Sequence, residues 1–408
     1  MLLKSVRITN FKSIHDSTEF ATGPVTCLVG RNESGKSAIL EALYRMNPVI
    51  KDDARFDTLD FPRSRYAEWR QRSEDMAGLP ESREPHLGTN VVTTTWELSD
   101  KDLTVIRGAL AGAVAPAKMP EAMRVVIRKG YDNELRWHVP IGDPDARDMV
   151  IKALTPRLPK FVLFSDYQRL PGQIAIDELE RRQAEGTLTF DDRAFLALLE
   201  LAGAKAGELD RIQRTEQLIA ELEAVSNRIS REIFAYWSQN RHLRVQFRLD
   251  AARPADPPPF NAGEILRIRI ENLRHGITIG FDERSSGFVW FFSFLVWFSQ
   301  LRRQYAERLV LLLDEPGLSL HPRAQVDLLR YMNERLRPLN QVIYSTHSPF
   351  MVDPNEIPAL RGVEDVVSSD GESLGTIVTD EIWSCAADTL MPVRLAMKVK
   401  GERLEVAL

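Results

Sequence analysis

Short apolar runs broken by glycine and proline open the chain. Leu3, Val6 and Ile8 make the first run, Gly23-Pro24 punctuates, and Val25–Val29 (VTCLV) reads as a buried strand. The period then changes. Ile39, Leu40, Leu43 and Met46 fall on one helical face, and Asn47-Pro48 ends it. Residues 49–90 are polar and irregular. Four strand candidates follow between Val91 and Phe164, namely VVTTTWEL, RVVIRK, LRWHV and FVLF, and they predict an antiparallel sheet layer.

From about Gln168 to Trp237 Glu, Arg, Ala and Leu dominate, and the pattern is helical. Leu209, Ile212, Leu218, Leu222, Val225, Ile229 and Ile233 predict a stripe on helices that pack together or pair with a second chain. The Pro-rich stretch Ala252–Phe260 (ARPADPPPF) reads as a linker. Strand candidates EILRIRIENL and HGITIGF come next. The apolar run Phe288–Phe298 is too short to span a membrane and suits a buried core helix. Leu309–Leu313 is a wholly apolar strand, Gln341–Tyr344 suggests another, and the pattern weakens after Pro354. These shifts divide the chain into 1–165, a helical insertion at 166–250, a region 251–365 and a C-terminal extension at 366–408.

Composition narrows the class. The 408 residues allow two or three domains, and 44% hydrophobic with 27% charged residues is ordinary for a soluble globular chain. A net charge of -5 excludes a protein that is basic overall but leaves local patches open. Arg228–Arg248 holds five arginines against Glu232, interleaved with Tyr236, Trp237 and Phe247. Arg63–Arg72 holds four arginines against Glu68. Each patch is either a solvated face or a nucleic-acid surface. Cys27 and Cys385 have no metal-ligand spacing, and the start MLLKSVRITNFKS is no secretory signal. A cytoplasmic location is expected.

The chemistry lies in four short motifs. Gly30-Arg31-Asn32-Glu33-Ser34-Gly35-Lys36-Ser37 follows a strand and opens a helix, as a phosphate-binding loop must. Gly30 and Gly35 let backbone N–H groups turn inward, and the helix start at Ala38 adds partial positive charge. Lys36 can reach the β/γ-phosphates, and the Ser37 hydroxyl can ligate Mg2+. LVLLLDE at Leu309–Glu315 ends a buried strand with Asp314, which can hold Mg2+ directly or through water, and Glu315, placed to polarise a water as general base. Tyr344–Ser348 (YSTHS) puts His347 at another strand end. Ser285, Ser286 and Gly287 open the apolar helix and form a further anion-site candidate, though serine and glycine also make ordinary caps.

Taken together, GRNESGKS, ERSSG, LDEPGLSLHP and STHSPF resemble the ABC-type ATPases of the RecF/SMC/OLD (overcoming lysogenization defect) group. The LHP and HSPF forms are nearest to OLD-family ATPases, and ITNFKSI at Ile8–Ile14 resembles the first strand of the group. The resemblance implies an α/β fold: an ABC-type P-loop NTPase with an antiparallel β layer and an inserted helical, dimerisation-type subdomain. It implies ATP and Mg2+ as cofactors and ATP hydrolysis as the reaction. Residues 1–165 and 251–365 would be the two ATPase lobes.

By position, Gly30, Asn32, Glu33, Ser34, Gly35, Lys36, Ser37 and Ala38 would bind ATP. Asp314 and Ser37 would hold the metal, Glu315 would be the base, and His347 the switch histidine at the γ-phosphate. Ser285, Ser286 and Gly287 would face the γ-phosphate held by an opposite subunit, with Gly317–His321 at the dimer interface. A homodimer or higher oligomer closing on ATP follows, with the helical insert between chains and no membrane.

Two departures stand out. Phe288 takes the place of the glutamine that usually follows the signature glycine, and Gln71 is the only guess for the Q-loop. OLD-family nucleases carry a Toprim nuclease after the ATPase, and no acidic cluster of that kind precedes Leu408. The nuclease is expected beyond a truncation or in another protein. Two functions stay open. One is a DNA-directed ATPase of anti-phage defence or repair that acts with a nuclease or effector. The other is an ATP-dependent scaffold that holds a toxic effector until a trigger releases it. A transporter ATPase fits the insert and the LHP form poorly.

Overall fold

The computed structural model describes residues 1–49, 55–67, 90–111, 123–165, 169–189, 191–196, 215–304, 309–369, 371 and 373–407. The chain forms two units. One comprises Met1–Phe164, Glu307–Pro316 and Met332–Leu408, and the other Ser165–Ala306 with Gly317–Tyr331.

The first unit is built on a six-stranded sheet. Its order is β16 (Ser373–Thr379), β15 (Leu360–Val367), β4 (Val25–Gly30), β14 (Gln341–Thr346), β13 (Val310–Asp314) and β8 (Phe161–Ser165). β4 runs parallel to both β14 and β15, and β13 runs parallel to β14. β13 and β14 are apolar or fully buried because a parallel sheet is covered on both faces. The helix Lys36–Tyr44 covers one face and buries Ile39, Leu40 and Leu43 completely.

An antiparallel sheet forms the second layer of this unit. Its order is β2 (Ile14–Asp16), β1 (Leu2–Phe11), β5 (Asn90–Glu97), β6 (Arg124–Gly130) and β7 (Leu135–His138), with β3 (Phe20–Ala21) on β1. β5 alternates buried and half-buried positions, as a one-sided strand should. Leu3, Val6, Ile8 and Trp96 from this layer join Ile39, Leu43, Leu312 and Ile343 in one core.

Two expectations change here. FVLF belongs to β8 beside β13 rather than to the antiparallel layer, because Phe161, Val162 and Phe164 are all buried. The weakly patterned tail contributes β15 directly beside β4, then β16 and the helix Ala387–Ala407. Arg361 disguises β15: it interrupts the apolar run yet is buried, donating to the Ala21, Pro358 and Leu360 carbonyls.

The second unit pairs β10 (Leu243–Ala251), β11 (Glu264–Asn272) and β12 (Ile277–Gly280), with β9 (Gln173–Ala175) also on β11. β10 and β11 stay in register from Leu243↔Asn272 to Ala251↔Glu264. ARPADPPPF is therefore a hairpin connection between paired strands, not a linker between domains. Helices run from Ile176 to Glu185, Thr215 to Tyr236 and Ser286 to Gln304. Every residue from Phe288 to Phe298 is buried, as the apolar run predicts. Among the described residues no helix is long and apolar enough to cross a membrane. Leu209 and Ile212 of the helical stripe lie outside the described residues, as do the side chains of Leu218, Leu222, Val225, Ile229 and Ile233.

One buried carboxylate ties the edge of the antiparallel layer to its helices. Asp102 accepts from the Met1 amino group at 2.6 Å, from Ser99 N–H and Oγ, and from Arg157 Nε at 2.8 Å. Burial alone raises its pKa, but the bonds from the N-terminus, Ser99 and Arg157 outweigh that and hold it well below the usual carboxylate range. A depressed folded pKa stabilises the fold above the unfolded pKa and loses that contribution as pH falls. Asp102→Asn should cost about 3 kcal/mol at pH 7. In urea titrations the gap to wild type should shrink as pH falls below about 4. A gap that stays constant down to pH 3 defeats the linkage.

Candidate active site

Steric exclusion shapes the loop Gly30–Ser37. Gly35 has φ +95°, and a Cβ there would stand 2.1 Å from Thr376 Oγ1. A Cβ on Gly30 would stand 2.3 Å from the Val363 carbonyl. Both positions need glycine, the first for backbone handedness and both for close approach. Gly35 caps the helix Lys36–Tyr44 without a side-chain bond, and the first amide to bond within the helix is Ile39, to Gly35 O at 3.1 Å. The amides of Lys36, Ser37 and Ala38 are thereby offered to an anion or to water. Ser37, Arg31, Asn32 and Glu33 are exposed at the mouth of the loop. Ser34 is buried, and its Oγ has no hydrogen-bond partner.

The Lys36 ammonium folds back under the loop. It is 5% exposed and donates to Gly30 O at 3.0 Å and Arg31 O at 2.7 Å. It also lies 3.3 Å from Glu315 Oε1. Glu315 follows β13 in the left-handed region, at φ +44°. That turn aims its side chain at the loop while its own N–H donates to Ser345 Oγ at 2.8 Å. Ser345 in turn donates to Asp314 Oδ1 at 2.7 Å. His347 Nδ1 lies 2.9 Å from Glu315 Oε2, and the His347 N–H also points to that oxygen at 3.3 Å.

The loop, Asp314, Glu315 and His347 thus converge within one unit. Ser285, Ser286 and Gly287 belong to the other. There Ser285 and Ser286 are exposed at the start of the helix Ser286–Gln304, and a Cβ on Gly287 would lie 2.7 Å from Ser319 O. Phe288 is fully buried, its ring 5.4 Å from Trp237 and 6.2 Å from Phe281. Core packing accounts for an aromatic where a glutamine was expected.

A family model described as "AAA domain, putative AbiEii toxin, Type IV TA system" matches residues 167–353, and one described as "AAA ATPase domain" matches residues 1–72. The OLD nuclease of Thermus scotoductus is 24% identical over 367 residues, which are 88% of this chain and 61% of that protein. These matches mark the chain as an ATPase similar to an OLD nuclease.

An uncharacterized protein of Methanocaldococcus jannaschii is 33% identical to this ATPase over 174 residues, 42% of the chain and 41% of that protein. The chain therefore spans less than two thirds of either curated relative. Among solved structures, an SmcHead bound to the C-winged helix domain of ScpA matches at 16% identity and TM-score 0.49, covering 94% of this chain and all of that one. The SMC head domain from Thermotoga maritima matches at 14% identity and TM-score 0.43, covering 93% and 98%.

In this ATPase the site fits a nucleoside triphosphate. The glycines let the loop close against Val363 and Thr376, where a Cβ would clash, the amides of Lys36, Ser37 and Ala38 stand at the helix start, and the Ser34 hydroxyl is buried without a partner. Ser345 went unremarked in the sequence among the STHS residues, although it links Asp314 to the Glu315 backbone.

The basic patches divide. Arg231, Arg241, Arg244 and Arg248 are exposed. Tyr236 and Trp237 are not available to stack on bases, being core residues whose rings lie 4.9 Å from Tyr331 and 5.4 Å from Phe288. Arg65 donates to Asn10 at 3.3 Å. Arg70, Arg72 and the Q-loop candidate Gln71 lie outside the described residues.

Ser345→Ala removes the bridge between the two carboxylate positions. We expect turnover to fall about tenfold with ATP affinity little changed, because the hydroxyl orients groups rather than binding phosphate. Steady-state kinetics check this, and an unchanged kcat defeats the role.

Proposed function

We propose that this ATPase is a nucleotide-gated dimer, directed at DNA in phage defence or repair, that acts with a nuclease or effector. What supports the reading most is the cluster joining Lys36, Glu315 and His347 in one unit, while Ser285 and Ser286 stay exposed. A site complete except for its signature is suited to completion by a second chain.

The residues take these roles. The amides from Gly35 to Ala38 and the Lys36 ammonium bind the phosphates, with Asn32, Glu33 and Ser34 shaping the loop. Ser37 and Asp314 hold Mg2+. Glu315 accepts a proton from the attacking water. His347, hydrogen-bonded to Glu315, orients that carboxylate and faces the γ-phosphate. Bound ATP supplies the anhydride that is cleaved, and Mg2+ neutralises phosphate charge. Ser285–Gly287 of one subunit approach the γ-phosphate held by the other, with Gly317–His321 at the interface.

The relative named OLD nuclease extends beyond the stretch matched here, which favours a nuclease acting with this ATPase. The matched family description names a toxin of a toxin–antitoxin system, which favours the second reading, an ATP-dependent scaffold that holds a toxic effector. DNA separates the two. Under the first reading duplex DNA raises ATP turnover, and its binding weakens steeply between 50 and 200 mM salt, on the order of tenfold or more. Unstimulated turnover, together with a tightly held partner protein, defeats it.

Lys36→Ala should abolish ATP binding, read by a fluorescent ATP analogue. Glu315→Gln keeps the shape and removes the base. It should hold ATP without cleaving it and run as a closed dimer in light scattering after size exclusion. Wild-type turnover in Glu315→Gln removes that residue from catalysis.

A further inference from the structure

The two glycines of the phosphate loop lean on a segment beyond every nucleotide motif. Gly30 approaches the Val363 carbonyl of β15, its register partner, and Gly35 approaches Thr376 of β16. Thr376 is fully buried. Three of its atoms lie within 2.9 Å of the position a Gly35 Cβ would take, namely Oγ1, Cγ2 and Cβ. Its rotamer is held by Ser13: Thr376 Oγ1 and Ser13 Oγ are 2.9 Å apart, and the Thr376 N–H donates to Ser13 O at 3.1 Å. Gly375 makes that approach possible. Its φ is +77°, and a Cβ there would stand 2.5 Å from Ser13 O.

We propose that Thr376 is a positioning residue for ATP binding: clamped by Ser13, it forms the wall that keeps Gly35 left-handed and the loop amides turned inward. It touches no phosphate and acts only through Gly35. A preorganised loop binds ground state and transition state alike, so loosening it raises KM and spares kcat. The polar side chain suits the place because its hydroxyl, held by Ser13, is also the atom nearest the Gly35 Cβ position, with the methyl beside it.

The test is a KM against kcat split in three variants, with melting temperatures measured alongside. Thr376→Ala removes the two nearest atoms of the wall and the side-chain half of the clamp, and should raise the KM for ATP about five- to tenfold with kcat within about twofold. Thr376→Ser keeps the hydroxyl and should return KM to within about threefold of wild type. Ser13→Ala leaves Thr376 in place with only the backbone half of its clamp, and should raise KM about two- to threefold. It serves as the readout if Thr376→Ala does not fold. A KM unchanged in both Ala variants overturns the proposal, as does a fall in kcat that Thr376→Ser fails to rescue.

The inference rests on the phosphate-binding reading of Gly30–Ser37, and Lys36→Ala separates the two. A Lys36→Ala chain that still binds ATP defeats that reading. Unchanged KM at Thr376 defeats this one alone.

Discussion

A buried ammonium organises the site. Lys36 is almost wholly out of water, and an ammonium there is costly unless charge and hydrogen bonds compensate. Two loop carbonyls and Glu315 do so. The arrangement constrains the rest of the unit. Glu315 must reach Lys36, so the end of β13 turns left-handed, and that turn hands its N–H to Ser345. Ser345 then fixes Asp314, and His347 settles on the second Glu315 oxygen. The ion pair also couples the two groups, so a charge change at Lys36 is felt at Glu315.

The motifs of the candidate site were legible in the sequence because each is short and obeys a strict spacing. GRNESGKS, LLLDE and STHS lie at the ends of β4, β13 and β14, as expected of residues that need exposed amides or carboxylates at the carboxyl edge of a parallel sheet. The central strands were legible too, since burial on both faces leaves an unbroken apolar run. The run Phe288–Phe298 announced its burial in the same way.

What escaped the pattern had a polar residue or a glycine in the wrong place for a periodicity reading. β15 hides behind Arg361 and Gly362, the one bonded to carbonyls and paired with Asp380 and the other packed against Cys385 Sγ. β10 was read as a basic patch because Arg244 and Arg248 alternate with its inward residues Leu243 and Val245. ARPADPPPF resembled a linker because proline-rich composition does not say whether the flanking strands pair with each other. Tyr236 and Trp237 sit among arginines in sequence and among aromatics in space. Local composition cannot separate those two settings; tertiary contacts do.

The split of the site along the chain has a consequence for how it forms. β4 carries the phosphate loop, and both its sheet neighbours, β14 and β15, come from the last third of the sequence. No local hairpin can shelter β4, so both its edges are satisfied only by contacts of very long sequence separation. Such pairings bear the closure entropy of the intervening chain before they return any stability, and they form late. The loop glycines add to this. Gly30 and Gly35 are free to take many conformations until Val363 and Thr376 close behind them. The phosphate loop therefore acquires its shape only with the C-terminal hairpin in place, although it lies near the start of the chain. Its preorganisation is a property of the C-terminal hairpin as much as of the motif itself.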